Sequence, residues 1–174
     1  MSLIIRPAVD ADIPMLSRIG HQTYVETFID DFRIPYSQSD LDSFLPAAYS
    51  EETVGGYQAD PECQHFVAEM DGQPIGYALV GPNSLPHEDA RPGEVELKRI
   101  YLLKSAQGLG AGKALWDAAI GWLEARGHNR IWLGVWSGNV KAQAFYARNG
   151  FAKVGEYRFV VGDTQDHEFI MRRN

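Results

Sequence analysis

Apolar positions along this chain switch between alternating and helical spacings, and each switch marks an element boundary. Leu3-Ile4-Ile5-Arg6-Pro7 reads as a first strand. Asp10 or Asp12 then caps a helix running to about Phe28, with Pro14 in its first turn, where a missing N–H costs little. Residues 37–59 predict two short helices broken near Pro46, with Ser50 placed to cap the one that opens at Glu51-Glu52. Strand-like runs at 64–70 and 74–80 flank Asp71-Gly72, a hairpin signal that pairs them antiparallel. A polar, proline-bearing loop from Pro82 to Gly93 leads into a strand from Glu94 to Leu103. There Val95, Leu97, Arg99 and Tyr101 share one face, and Glu94, Glu96, Lys98, Ile100 and Leu102 the other, unless a bulge shifts the register. Ala111, Ala114, Leu115, Ala118, Ala119, Trp122 and Leu123 recur at helical spacing, so 110–126 form a helix that Gly127 stops. A strand at 130–136, a helix from about Val140 to Arg148 and strands near 152–161 and 165–172 complete the layout. The sum is an α/β domain of mixed sheet, expected to span 1–174 as one unit.

Composition narrows the class. No apolar run reaches the eighteen or so residues that span a bilayer, and Met1-Ser2-Leu3-Ile4-Ile5-Arg6 has no signal-peptide layout, so a cytoplasmic protein without a membrane partner is expected. Cys63 is the single cysteine, which excludes a disulfide framework and argues against a metal centre. A formal net charge of −7 disfavours nucleic acid as a partner and favours a cationic substrate.

Chemistry enters at Gln107-Gly108-Leu109-Gly110-Ala111-Gly112, which joins an apolar strand to an amphipathic helix. Glycines let backbone approach a ligand, and the free N–H groups that open a helix point at negative charge, so the turn suits a phosphorylated cofactor. A dinucleotide fingerprint competes for Gly108-x-Gly110. It fails because Lys113 stands where a third glycine belongs and the next strand, 130–136, ends in Ser137-Gly138-Asn139 without a carboxylate. A plain strand-to-helix connection is the remaining alternative.

The same turn matches the Q/R-x-x-G-x-G/A loop of the GNAT acetyltransferase superfamily at Gln107, Gly110 and Gly112. The run Asn139-Val140-Lys141-Ala142-Gln143-Ala144-Phe145-Tyr146-Ala147-Arg148-Asn149-Gly150-Phe151 resembles that family's N-x-x-A-x-x-F-Y-x-x-x-G-F signature. Gly134-Val135-Trp136 and Gly162-Asp163-Thr164-Gln165-Asp166, leading into Phe169-Ile170-Met171, resemble the PaiA-type branch, whose members acetylate spermidine and spermine. The resemblance covers roughly residues 60–172 and implies a twisted, mostly antiparallel mixed sheet with helices on both faces. It implies acetyl-CoA as donor, held by the backbone of Ile100-Tyr101-Leu102 acting as a half-open strand. Gln107, Gly108, Leu109, Gly110, Ala111, Gly112 and Lys113 take the pyrophosphate, and Asn139 the pantetheine arm. It also places Tyr146 as the acid that protonates the departing thiolate.

Alternatives stay open at several of these residues. Lys113 reads equally as a solvated first-turn lysine, Asn139 as an N-cap, and Tyr146 as core packing. Attack needs a neutral amine, so a proton acceptor is required. Glu96 and Glu94 are the nearest carboxylates, though either can instead pair with Lys98 or Arg99, and His65 and His87 stand in reserve. Cys63 has no activating neighbour in sequence, which favours direct transfer. Phe28, Phe32, Tyr36 and Phe44, with Asp30, Asp31, Asp40 and Asp42 interleaved, suit either an amine pocket or a core with a solvated face. The expected function is acetyl transfer to a small polyamine-like amine. Its rivals are a protein N-terminal or lysine acetyltransferase and an idle acyl-CoA-binding module. Such folds commonly pair through C-terminal strands, so a homodimer is an expectation that no residue fixes.

Overall fold

The computed structural model describes all residues, 1–174. Seven strands form one sheet in the order β1-β2-β3-β4-β5-β7-β6: β1 (Leu3–Pro7), β2 (Gln64–Met70), β3 (Gln73–Pro82), β4 (Val95–Leu102), β5 (Ile131–Trp136), β6 (Ala152–Val161) and β7 (Thr164–Arg173). Every neighbouring pair is antiparallel except β4 and β5.

Helices cover both faces. α4 (Ala111–Ala125) lays Leu115, Trp116, Ala119, Ile120 and Leu123 against Phe66, Ala78, Val95 and Leu97 in the main core, and α5 (Val140–Arg148) adds Phe145 and Tyr146 to that side. On the opposite face α1 (Ile13–Tyr24) packs Leu16 and Ile19 on Val67 and Tyr77. α2 (Gln38–Tyr49) and α3 (Glu51–Ala59) complete that layer.

Three local expectations are corrected. Pro46 does not break a helix; α2 runs through it to Tyr49, forgoing the one backbone bond that a proline cannot donate. The break falls at Ser50, whose hydroxyl accepts from the Thr53 N–H at 3.1 Å and caps α3. Neither Asp10 nor Asp12 caps α1 through its side chain; the Asp12 carboxylate is held by Arg6 at 2.7 Å and by the Val9 N–H. The first helix also extends past Phe28. It widens over Val25–Asp31 into π-type turns closed by Phe32 N–H to Thr27 C=O, a geometry that concentrates at functional sites.

A bulge in β4 sets up the site and overturns the alternation expected for that strand. Leu79 pairs with Arg99 while Val80 pairs with Leu97, so Lys98 is an extra residue in β4. This bulge reverses the alternation beyond it. Val95 and Leu97 therefore share the α4 face with Ile100 and Leu102. Glu96 instead shares the other face with Arg99, which lies over Tyr49, and with Tyr101, which packs beside Tyr77.

Candidate active site

β4 and β5 are paired only at Val95–Ile131, Glu96–Trp132 and Leu97–Leu133. Beyond that seam β4 continues along β3 and β5 along β7, leaving a wedge between the two strands. Leu103 N–H donates to Ile75 C=O at 2.9 Å. Counting back by alternation, Tyr101 and Arg99 direct their backbone groups at β3, while Ile100 and Leu102 direct theirs into the wedge. A cleft of about 770 Å³ follows this open edge.

At one end of the cleft lies the glycine turn. A single 3₁₀ turn, Lys104–Ala106, separates it from β4, and Gly110 caps α4 in left-handed geometry. Gly108 and Gly110 hold φ of +82° and +81°, which L side chains rarely adopt. Gly112 is not in that region, and a Cβ there would meet only Leu102 Cδ1 at 3.5 Å. The first bond inside α4 runs from Ala114 N–H to Gly110 C=O at 3.1 Å, and none of the amides from Gly108 through Lys113 donates to a protein acceptor. Consecutive unpaired N–H groups at a helix N-terminus form an anion cradle.

Gln107, Gly108, Gly110 and Gly112 line the cleft. Ala111 is buried and Leu109 is 43% exposed, so both offer the cradle only their backbone. Lys113 reaches the cleft, but its ammonium sits 2.6 Å from Asp117 one turn on. Asn139 uses its side-chain oxygen to cap α5 through the Ala142 N–H at 3.1 Å, which leaves its amide NH₂ at the cleft wall. Tyr146 stacks on Trp116 with ring centroids 5.5 Å apart, and its hydroxyl has no protein partner. Burial pushes that phenol up to about 12. Tyr101 contributes wall rather than backbone donors, since its main chain is spent on β3.

The other end of the cleft opens on the opposite face. Phe28, Phe32 and Phe44 line it, as the aromatic set in the sequence allows, and so does Asp31, ion-paired with Lys104. The other acidic residues of that set lie elsewhere. Asp40 closes a capping box with Ser37 and accepts from Asp163 N–H and Thr164 Oγ1, and these donors hold its carboxyl down to about 2. Asp42 accepts from Gln38 on the surface, and Asp30 is exposed.

Glu96 does line the cleft, but its Oε2 already accepts from Ser84 N–H at 3.0 Å, Ser84 Oγ at 3.1 Å and Lys98 Nζ at 3.2 Å. Glu94 is turned away to Arg130 and the Trp132 indole. The reserve histidines are outside the cleft: His87 bonds Val154 C=O, and His65 is buried, its imidazole pushed down to about 4 by desolvation and by Arg99. Cys63 is buried beside Asp60, which together raise its thiol to about 11. No group of three or more His, Cys, Asp or Glu side chains is arranged to hold a metal.

Two carboxylates that sequence reasoning left without a role stand on this face. Asp166 and Glu168 alternate with Ile170 on one side of β7, and both line the cleft. Asp166 accepts from the Tyr36 hydroxyl. The available signal was period-two spacing of acids in a strand that ends in core residues.

The profile of the acetyltransferase (GNAT) family matches residues 22–151. The chain belongs to this family. The acetyltransferase is 32% identical over 168 residues to an uncharacterized N-acetyltransferase in the pepI 3' region of Lactobacillus delbrueckii subsp. lactis, covering 94% of this chain and 92% of that one. It is 31% identical over 116 residues to the spermine/spermidine N(1)-acetyltransferase of Bacillus subtilis (strain 168), covering 64% and 76% of the two chains. Among solved structures, the PaiA N-acetyltransferase from Thermoplasma acidophilum in complex with coenzyme A superposes with a TM-score of 0.76 at 23% identity, over 100% of this chain and 99% of that one. The ribosomal-protein-S18-alanine N-acetyltransferase from Escherichia coli gives 0.70 at 22%, over 99% and 93%. No helix of the acetyltransferase is long and apolar enough to cross a membrane.

Proposed function

We propose that this acetyltransferase moves an acetyl group directly from acetyl-CoA to a primary amine, with a polyamine such as spermidine or spermine as the acceptor. The observation that carries the donor half is the run of unpaired amides from Gly108 through Lys113 at the mouth of a split sheet. The cofactor supplies an activated acyl group as a thioester. Gly108 through Lys113 bind pyrophosphate oxygens, reinforced by the positive end of the α4 dipole. Ile100 and Leu102 present strand-like donors and acceptors to the two amides of the pantetheine arm, and the Asn139 amide adds a donor from the opposite wall. The Ile100 N–H, free on the wedge side of β4, is the donor we assign to polarising the acetyl carbonyl.

Tyr146 is the candidate acid. Its hydroxyl is free, and a phenol pushed up to about 12 keeps its proton across the physiological range. The same rise makes it a weaker acid than a free phenol, so its part as donor depends on the hydroxyl being held against the departing sulfur as the C–S bond breaks. No cysteine lines the cleft, and its one serine hydroxyl, Ser84 Oγ, is tied between the Glu96 carboxylate and the Lys98 ammonium, in keeping with transfer in one step.

The acceptor assignment rests on three supports: the spermine/spermidine relative, the net charge of −7 and an acceptor face that combines carboxylates with aromatic rings. Peptide N-termini are the rival acceptor class, favoured by the fold likeness to an alanine N-acetyltransferase. Release of free thiol from acetyl-CoA, followed with spermidine, a monoamine and an alanine-terminated peptide, tests both halves. Release with spermidine foremost supports the reading. Preference for the peptide overturns the polyamine half, and coenzyme A binding without release to any amine supports an idle binding module.

A further inference from the structure

Glu168 is buried to 9% exposure, lines the cleft, and has no hydrogen-bond or ion-pair partner in the protein. A carboxylate in that position is costly unless a ligand completes it. Its strand position is specific. Glu168 pairs with Trp136 at the end of β5, beyond the seam where β4 and β5 separate, and with Tyr157 of β6 on the other side. Asp166, two residues away on the same face, receives the Tyr36 hydroxyl on one oxygen, Oδ2.

We propose that Glu168, assisted by Asp166, forms the ammonium subsite of the acceptor and takes the proton that the attacking nitrogen must lose. This inference rests on the amine-acetylation reading above and deepens it. The balance is simple: an R–NH₃⁺ held by the ionised Glu168 gives its proton to the carboxylate, and the freed lone pair attacks the acyl carbon. The C–S bond then breaks, its electron pair leaving on the thiolate. That thiolate is protonated by Tyr146, the attacking nitrogen sheds its second proton to water, and water returns a proton to Tyr146 while Glu168 releases its own to solvent.

The surroundings decide between this residue and Glu96. Three donors converge on one oxygen of Glu96, which fixes that carboxylate in place. Around Glu168 the facing groups are Asp166 of β7, Tyr157 of β6, Tyr101 of β4 and Tyr24 of α1, none of them cationic. Lys98 and Arg99 line the same cleft but are engaged, Lys98 with Glu96 and Arg99 with the Ala48 carbonyl and the Tyr49 ring. Burial, with Asp166 beside it, pushes the Glu168 carboxyl up to about 8. A base poised near working pH meets the Brønsted requirement for proton abstraction. An arriving ammonium supplies the opposite charge that the site lacks and favours ionisation.

The test compares the wild type with Glu168→Gln and Asp166→Asn. Coenzyme A affinity, measured by calorimetry, should be unchanged in both variants. With donor saturating, kcat/KM for the amine should fall by about 10²-fold or more in Glu168→Gln, and by less in Asp166→Asn. The wild-type acid limb of kcat/KM should lie near pH 8 and stay there for amines of differing basicity, and Glu168→Gln should lose it. Spermidine titrated into the protein saturated with coenzyme A should bind the wild type and lose at least tenfold in affinity on Glu168→Gln.

Activity of Glu168→Gln within threefold of wild type overturns the proposal, as does a limb that tracks the pKa of the amine or equal spermidine affinity in the two proteins. Failure of the wild type to bind coenzyme A at all overturns the acetyltransfer reading instead.

Discussion

The Arg99 guanidinium lies over the ring of Tyr49, 4.5 Å from its centroid, and donates to the Ala48 carbonyl at 3.1 Å. No carboxylate pairs with it. Arg99 therefore ties the last turn of α2 to β4 through a cation–π contact and one charge-assisted bond, which a lysine cannot reproduce together. Arg99→Lys should lower unfolding free energy by about 1–2 kcal/mol. Urea denaturation checks it, and a loss below about 0.3 kcal/mol would assign the contact no stabilising role.

The glycine turn separates two causes of lost affinity. Gly110 has φ of +81° with open space around a built Cβ, so Gly110→Val sets a β-branched residue against the backbone itself. Coenzyme A affinity should fall at least tenfold while circular dichroism stays native. Gly112→Ala meets no such backbone demand. A comparable loss there reports blocked approach of a phosphate, and no loss leaves the cradle to the residues before it.

Tyr146→Phe keeps the stack on Trp116 and removes only the hydroxyl. Turnover should drop by about 10²-fold with coenzyme A affinity intact, in the usual range for an acid–base group. Single-turnover kinetics decide it; a drop below threefold with chemistry limiting would make the residue a packing element.

Linkage gives Glu168 a signature independent of activity. Its folded carboxyl, raised to about 8, binds a proton that the unfolded chain has already released above its ordinary range near 4.5. The native state thus holds more protons between those values, and this group's contribution to stability declines as pH rises through that window. Each tenfold change in that protonation ratio is about 1.4 kcal/mol. Glu168→Gln should therefore gain at least that much over wild type between pH 5 and pH 9, read from melting temperatures. Asp40 acts in the opposite sense, its lowered carboxyl stabilising the fold above about pH 4 and losing that contribution as pH falls through about 2.

Salt should reshape acceptor choice. A multiply charged amine gains more from an acidic field than a monoamine of similar length, and screening erodes the difference. The ratio of kcat/KM for spermidine to that for the monoamine should exceed one at low ionic strength and shrink as salt is added. A ratio indifferent to salt would remove charge from the explanation of specificity.

The glycine turn and the helix after it were legible because they depend on local rules. A turn that needs positive φ advertises its glycines at 108 and 110, and a helix that needs an apolar face repeats alanine and leucine through 111–123. The far end of the cleft was not, because it is assembled from distant pairings. One inserted residue, Lys98, reversed the faces expected for β4, and no alternation rule reveals where a bulge falls. Pairing of Glu96 with Lys98 was one of the alternatives the sequence left open, but its two bonds from Ser84, twelve residues earlier, were not. Asp166 and Glu168 reach the cleft only because β7 inserts between β5 and β6, a topology that no spacing in the chain encodes.

The wedge also has a mechanical meaning. With three residue pairs holding β4 to β5, the sheet behaves as two plates sharing a short weld. A ligand that hydrogen-bonds along Ile100 and Leu102 supplies the strand this junction lacks, so occupancy stiffens the molecule across its middle. Amide exchange at Ile100 and Leu102 should slow on coenzyme A binding far more than at Arg99 and Tyr101, whose protons are already committed to β3. Loading the donor would then brace both walls of the far end of the cleft, one built on each plate, before the second substrate of the proposed reaction arrives.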